Sequence, residues 1–409
     1  MPEQTTHEPN PQEQVASAQA HHEHARPAQD TIDRLRLARA EGVGPVTYRN
    51  LLARFATAAA ALKALPRLAK AGGRPTPPTV PTEADAILEL ERTAKLGARL
   101  LLLGDADYPP LLARLDDAPP VIAVQGDPAL LASRAVALVG GRNASVNGCR
   151  IAEDLAAELA RAGLVIVSGM ARGIDAAAHA GALAAGRTIA VVAGGLDIPY
   201  PPEHADLQRR IAATGAVVTE APPGTVPQSR HFPRRNRIIA GLALGVVVVE
   251  AAPRSGSLIT ARLATEAGRE VFAVPGSPLD PRSRGGNDLI RQGAVLVETA
   301  ADVLANLPDD LAATAALLFA GQTAPDAAAG FAEPPPPAPD FGDSASERAA
   351  VYAQVLDLLG PSPTPVDEVL RRCQFSAPAV MAALLELELA GRVETLPGGR
   401  VAALSERFA

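Results

Sequence analysis

The residues of this chain most suited to chemistry are glycines and arginines placed after apolar runs. Gly140-Gly141-Arg142 follows AVALV. Ser168-Gly169, with Arg172, Gly173 and Asp175 close behind, follows LVIV. Gly194-Gly195-Leu196-Asp197 follows TIAVVA, and AVVTE runs into the long loop PPGTVPQSRHF. That loop leads to HFPRRNRIIAGL (231–242), where Arg234, Arg235 and Arg237 sit in a region with no acidic residue from Pro222 to Val249. Glycine lets main-chain N–H groups approach an anion, and arginine adds paired donors. The chemistry so described is capture of phosphate. Pro233 suits the first turn of a helix, which puts the arginines at the helix end whose dipole repels cations. A phosphate bound there reverses the sign of that interaction. Arg234 and Arg237 share a face by i,i+3 spacing.

Other chemistries fit less well. The dinucleotide fingerprint G-x-G-x-x-G is absent, because Gly140 is followed two positions on by Arg142. Lysine occurs only at Lys63, Lys70 and Lys95, and no GxxxxGK[ST] match exists, which excludes a P-loop ATPase. His179, Asp175 and Glu220 form a hydrolytic set on paper, but Asp175 and His179 are four apart on one predicted helix, where pairing or capping explains them. No nucleophile elbow and no metal-ligand spacing is present, so no cofactor and no metal are expected. His21, His22 and His24 read as part of a solvated tail.

The elements that must position these loops follow from an alternation. From Arg99 to about Leu307, apolar runs such as AVALVGG (135–141), LVIVSG (164–169) and GVVVVEA (245–251) alternate with amphipathic stretches such as IAEDLAAELARAG. Continuous apolar strands between such helices predict a parallel sheet covered on both faces, a doubly wound Rossmann-like α/β domain over 98–307. Ligands of such sheets bind at the carboxyl ends of the strands. Residues 1–29 read as a polar, disordered tail. Residues 30–71 read as helical on both sides of Gly42-Val43-Gly44, which is either a helix-hairpin-helix offering N–H groups to a phosphate or a tight turn between packed helices. Residues 72–97 are a Pro-rich linker and a helix, and 308–345 a second Pro-rich linker. Residues 346–409 read as three helices and a hairpin across Gly398-Gly399, a winged helix.

Composition bounds the function. The chain is 47% apolar and has a net charge of −7, so any nucleic-acid site is a local patch. Between Ser133 and Glu298 there are 18 Arg against 14 acidic residues, net +4, whereas Ser346–Ala409 carries 6 Arg against 8, net −2. The basic charge therefore concentrates in the central domain, and the winged helix suits a regulatory or partner-binding role better than DNA binding. Two cysteines without CxxC spacing fit a reducing compartment. No signal peptide and no membrane span is apparent, so a cytoplasmic protein is expected.

Seven motifs in order (DADYPPLLARLDDAPPVIAVQGD, VGGRNASVNG, VSGMARGIDAAAHAGAL, GGLDIPYPPEH, HFPRRNRIIAGL, VVEAAPRSGSLITARLA and REVFAVPGSPLDPRSRGGNDLIRQGA) resemble the DNA-processing protein A family, DprA or Smf, over about residues 98–300. The resemblance implies an extended Rossmann fold and a homodimer. It implies a protein that binds single-stranded DNA taken up in natural transformation, protects it and helps load the RecA recombinase. It places DNA-phosphate contacts at Gly140 and Arg142, at Ser168, Gly169, Arg172 and Gly173, and at Arg235, Asn236 and Arg237; the family motif leaves position 234 open, and Arg234 is a candidate contact from helix spacing. Arg237 is favoured both by the resemblance and by helix spacing. Phe232 is expected either to stack on a base or to pack as a helix staple. Leu289 and Ile290 fall where the family dimerises. Gly141 stands where the family has Ser or Thr, and Arg230 is the expected substitute for lysine contacts. A competing reading is a nucleotide-binding or phosphoribohydrolase-like Rossmann enzyme, which lacks its Glu between Leu258 and Leu263. A third is a regulatory scaffold using the winged helix.

Overall fold

The computed structural model describes residues 27–308, 345–396 and 398–404. The polar tail with its histidine cluster and the second Pro-rich linker lie outside the described residues. Three helices come first, Gln29–Ala38, Pro45–Phe55 and Ala58–Ala71. Gly42, at φ 77°, turns the chain between the first two, and Pro45 opens the second. A fourth helix, Glu83–Lys95, starts from a capping box between Thr82 and Asp85.

The central domain is one nine-stranded sheet in the order β1-β2-β6-β5-β4-β3-β7-β8-β9. Its strands are β1 (Ala98–Leu102), β2 (Val121–Gly126), β3 (Ala135–Val139), β4 (Val165–Ser168), β5 (Thr188–Val191), β6 (Ala216–Thr219), β7 (Gly245–Val248), β8 (Glu270–Ala273) and β9 (Val295–Leu296). From β6 to β9 every pairing is parallel. The expected all-parallel sheet differs at one edge, because β2 runs antiparallel to β6 and β1 antiparallel to β2. Alternate residues of β3 point into two separate cores. Ala135, Ala137 and Val139 face Ile238, Leu242 and Ala261, while Val136 and Leu138 face Ala152, Leu155 and Ile174. Helices His231–Leu242 and Gly256–Glu266 thus cover one face, and Val146–Arg161 and Ile174–Ala185 the other. Burial on both faces is why these strands read as unbroken apolar runs.

Strand order reverses at β3. The chain steps outward through β4, β5 and β6, then returns to place β7 on the other side of β3. The crevice between the loops after β3 and β7 is the position where open α/β sheets hold ligands.

The last module has helices Ala345–Leu358, Val366–Arg372 and Ala377–Leu389, with β10 (Thr364–Pro365), β11 (Val393–Leu396) and β12 (Arg400–Ala403) in the order β10-β12-β11. The expected wing is the β11–β12 hairpin, and β10 adds a short third strand. The third helix packs against the first module: Leu385 and Leu389 join Leu51, Leu65 and Leu68 in one core. A Cβ on Gly72 would clash with the Glu386 carbonyl, so the two backbones meet closely there. Among the described residues no helix is long and apolar enough to cross a membrane.

Candidate nucleic-acid interface

A cleft of 460 Å³ opens at the switch point, lined by Gly140, Arg142, Phe232, Arg235, Asn236 and the first turn of helix Gly256–Glu266, among others. A smaller adjoining hollow of 150 Å³ is lined by Arg142, Gly169, Arg172, Tyr200, Phe232 and Arg235, among others. Ser255 caps helix Gly256–Glu266, accepting from the Ser257 N–H at 3.4 Å. Its N-terminal N–H groups and dipole favour an anion in the cleft.

The three clustered arginines go to different places. The arginine helix begins at His231 with Arg230 as N-cap, so Pro233 lies within its first turn. Arg235 is the floor of the cleft. Its guanidinium is buried and donates to the carbonyls of Gly169 and Val191. Burial lowers its pKa to about 10, opposed by the Asp175 carboxylate and assisted by the Arg142 charge. Burial likewise raises Asp175, against the pull of Arg235. A Cβ on Gly169 would meet both the Arg235 guanidinium and the Asp175 carboxylate, so only glycine fits above the pair. Asn236 donates to the Gly256 carbonyl at 3.2 Å, tying the arginine helix to the next one.

Arg237 and Arg234 are elsewhere, and this corrects the sequence expectation for both. Arg237 is buried, pairs with Glu220, lies 3.7 Å from the Asp117 carboxylate and donates to the Asp117 carbonyl. Arg234 reaches Glu220 at 2.9 Å. Neither lines the cleft. The cations that repel the helix dipole are offset here by carboxylates of the same chain.

The other expected contacts divide similarly. Ser168 is buried, and its hydroxyl proton goes to the Leu138 carbonyl at 2.6 Å, so this side chain has no donor left for a phosphate. Gly173 has φ 74°, and a Cβ there would strike the Gly141 carbonyl. It lets the loop after β4 pack beneath the loop after β3 and is not itself a lining residue. Arg172 lines the hollow but pairs with the exposed Glu203. Arg230 is exposed beside Ser229, which does line the cleft. Leu289 packs against the central core and Ile290 is half-buried on the same helix. The paper hydrolytic set is not brought together. Asp175 faces Arg235, Glu220 holds Arg234 and Arg237, and His179 is buried against Thr188 at 2.8 Å. Thr188 gives its own proton to the Ile166 carbonyl, so His179 Nδ1 must be the donor, and burial, which lowers the ring's pKa to about 3, keeps it neutral.

Arg142 is the exposed cation at the cleft mouth. Among the described residues no carboxylate pairs with it. Its guanidinium carbon lies 4.9 Å from the Phe232 ring centroid, a contact of ~0.5–1 kcal/mol at an exposed site. Tyr200 stands against the same ring, with centroids 5.4 Å apart and planes at 52°. Sequence reasoning missed Tyr200, although it sits in the quoted motif GGLDIPYPPEH as a lone aromatic among prolines.

Comparisons with known proteins agree with this architecture. The family model of DNA recombination-mediator protein A matches residues 99–308, the DprA winged helix domain 332–399, and the DprA-like N-terminal HHH domain 28–92. The chain is 42% identical to Protein Smf of Escherichia coli (strain K12) over 296 residues, 72% of this chain and 74% of that protein. It is 45% identical to DNA processing protein DprA of Bacillus subtilis (strain 168) over 215 residues, 52% of this chain and 72% of that one. The X-ray structure of DprA from Streptococcus pneumoniae superposes with a TM-score of 0.59 at 34% identity, covering 70% of this chain and all of that one. With more than half of its length matched by the central family model and the flanking modules matched by their own, the chain belongs to the DNA recombination-mediator protein A family, the DprA/Smf proteins.

Proposed function

We propose that this chain is a single-stranded DNA-binding protein of recombination and natural transformation, one that protects DNA and passes it to RecA without chemistry on the strand. The observation that carries the reading is Arg142: an exposed arginine with no carboxylate partner among the described residues, at the mouth of a cleft already furnished with a helix N-terminus and the Arg235 guanidinium. Each of the three favours an anion, and the aromatic pair Phe232 and Tyr200 stands beside them. Asp175, the acidic residue of the cleft lining, is held by Arg235, which supports binding rather than hydrolysis. A homodimer through the face carrying Leu289 and Ile290 and a cytoplasmic location complete the proposal, on the strength of the family.

Binding of single- and double-stranded oligomers measured against salt concentration tests it. Preference for the single strand is expected, with log K falling linearly against log salt by about 0.7 for each phosphate contacted. Release of a free base from a nucleoside monophosphate, or equal affinity for both DNA forms, would overturn it.

A further inference from the structure

The Phe232 ring is already engaged by two neighbours. Arg142 covers the ring at 4.9 Å, and Tyr200 leans on it at 5.4 Å. Both rings border the cleft and the adjoining hollow, but Tyr200 is 46% exposed whereas Phe232 is half-buried. Arg142 and Tyr200 both lie against the Phe232 ring, Tyr200 with its plane tilted by 52°, and Tyr200 is the more exposed of the two rings.

We propose that Tyr200 is the residue on which a nucleobase stacks, and that Phe232 is its buttress. The proposal rests on the single-stranded DNA reading and adds the specific base contact to it. Two features of this cluster support it. A base can pack on the exposed part of Tyr200, whereas a base on Phe232 competes with Arg142 and Tyr200 for the ring. Arg142, exposed beside the same ring, keeps its N–H groups for the phosphate next to that base. Stacking of this kind tolerates any base, because every base offers a π-face.

The test compares oligothymidine with an abasic deoxyribose-phosphate strand of the same length. Tyr200→Ala is expected to weaken oligothymidine binding about five- to hundredfold and to leave the abasic strand unaffected. Tyr200→Phe, which keeps the ring, is expected to restore it. A second readout is direct. The chain has no Trp and four Tyr, of which Tyr48 and Tyr108 are buried in the core. Stacking on Tyr200 should quench tyrosine emission with oligothymidine and not with the abasic strand, and Tyr200→Phe should abolish that quench while retaining affinity. If Tyr200→Ala weakens both strands equally, or neither, or if the quench survives Tyr200→Phe, Tyr200 is not the stacking residue. Failure of the unaltered protein to bind either strand would instead remove the single-stranded DNA reading itself.

Discussion

Arg237 and Arg234 converge on one carboxylate, that of Glu220, and Asp117 holds Arg237 from the other side. Two of the three arginines in HFPRRNRIIAGL therefore fasten the arginine helix to the loops after β6 and before β2. Arg237→Ala should act on stability. Removing one partner of a buried pair costs ~3–5 kcal/mol, so a clear drop in melting temperature is expected, with the salt slope of DNA binding unchanged in the fraction that folds. An altered slope at normal stability would return Arg237 to the DNA site.

Arg142→Ala should do the reverse. The side chain is exposed and its ring contact is weak, so the stability change should stay within ~1 kcal/mol. The slope of log K against log salt should fall by about 0.7, the loss of one phosphate contact on a single strand. Circular dichroism melts and fluorescence titrations on the same preparation separate the two effects.

Gly169→Ala tests the floor of the cleft. The added Cβ meets the Arg235 guanidinium and the Asp175 carboxylate, and overpacking of this kind costs ~1–3 kcal/mol. Loss of stability together with weaker DNA binding is expected, because Arg235 must leave its place. A fully stable variant with normal binding would show that the Arg235–Asp175 pair is dispensable.

His179 makes stability depend on pH. Burial lowers its pKa to about 3, assisted by the His204 and Arg235 charges, against an ordinary value of 6.5. The native state needs the neutral ring, so its contribution is complete above pH 6.5 and is lost as pH falls from there toward 3. The loss is about 1.4 kcal/mol for each pH unit in that window. Asp175, raised by burial, works in the opposite direction at the acid end. Denaturant melts of the parent and His179→Leu at pH 7 and 5 should show the parent losing more on acidification. Equal losses would mean that the ring is not buried neutral.

The strands from β3 to β7 were legible because each is buried on both faces, which forces an unbroken apolar run between turn residues. The antiparallel edge was not, since ARLLLLGD and PPVIAVQGD carry no sign of pairing direction in their own residues. The cleft was half legible. Glycine and arginine after strand ends pointed to Gly140 and Arg142, which line the cleft, and to Gly169, which lines the adjoining hollow. The fate of the arginines depended on Glu220, in the preceding loop, and on Asp117, far upstream in LDDAPP, which meet only in three dimensions. Helical geometry put Arg234 and Arg237 on one face and left open whether that face saw DNA or a carboxylate. Tyr200 escaped because its partner, Phe232, lies 32 positions on, in the first turn of the arginine helix.

The third helix of the last module rests on the first, through Leu385 and Leu389 against Leu51, Leu65 and Leu68. Both partners of this joint belong to one chain, so its occupancy is set by tether length and not by protein concentration. Dilution leaves it closed. A single proteolytic cut between residues 308 and 345 would turn it into an encounter of two molecules, and the same dilution would then release the winged helix with its apolar helix face open to water.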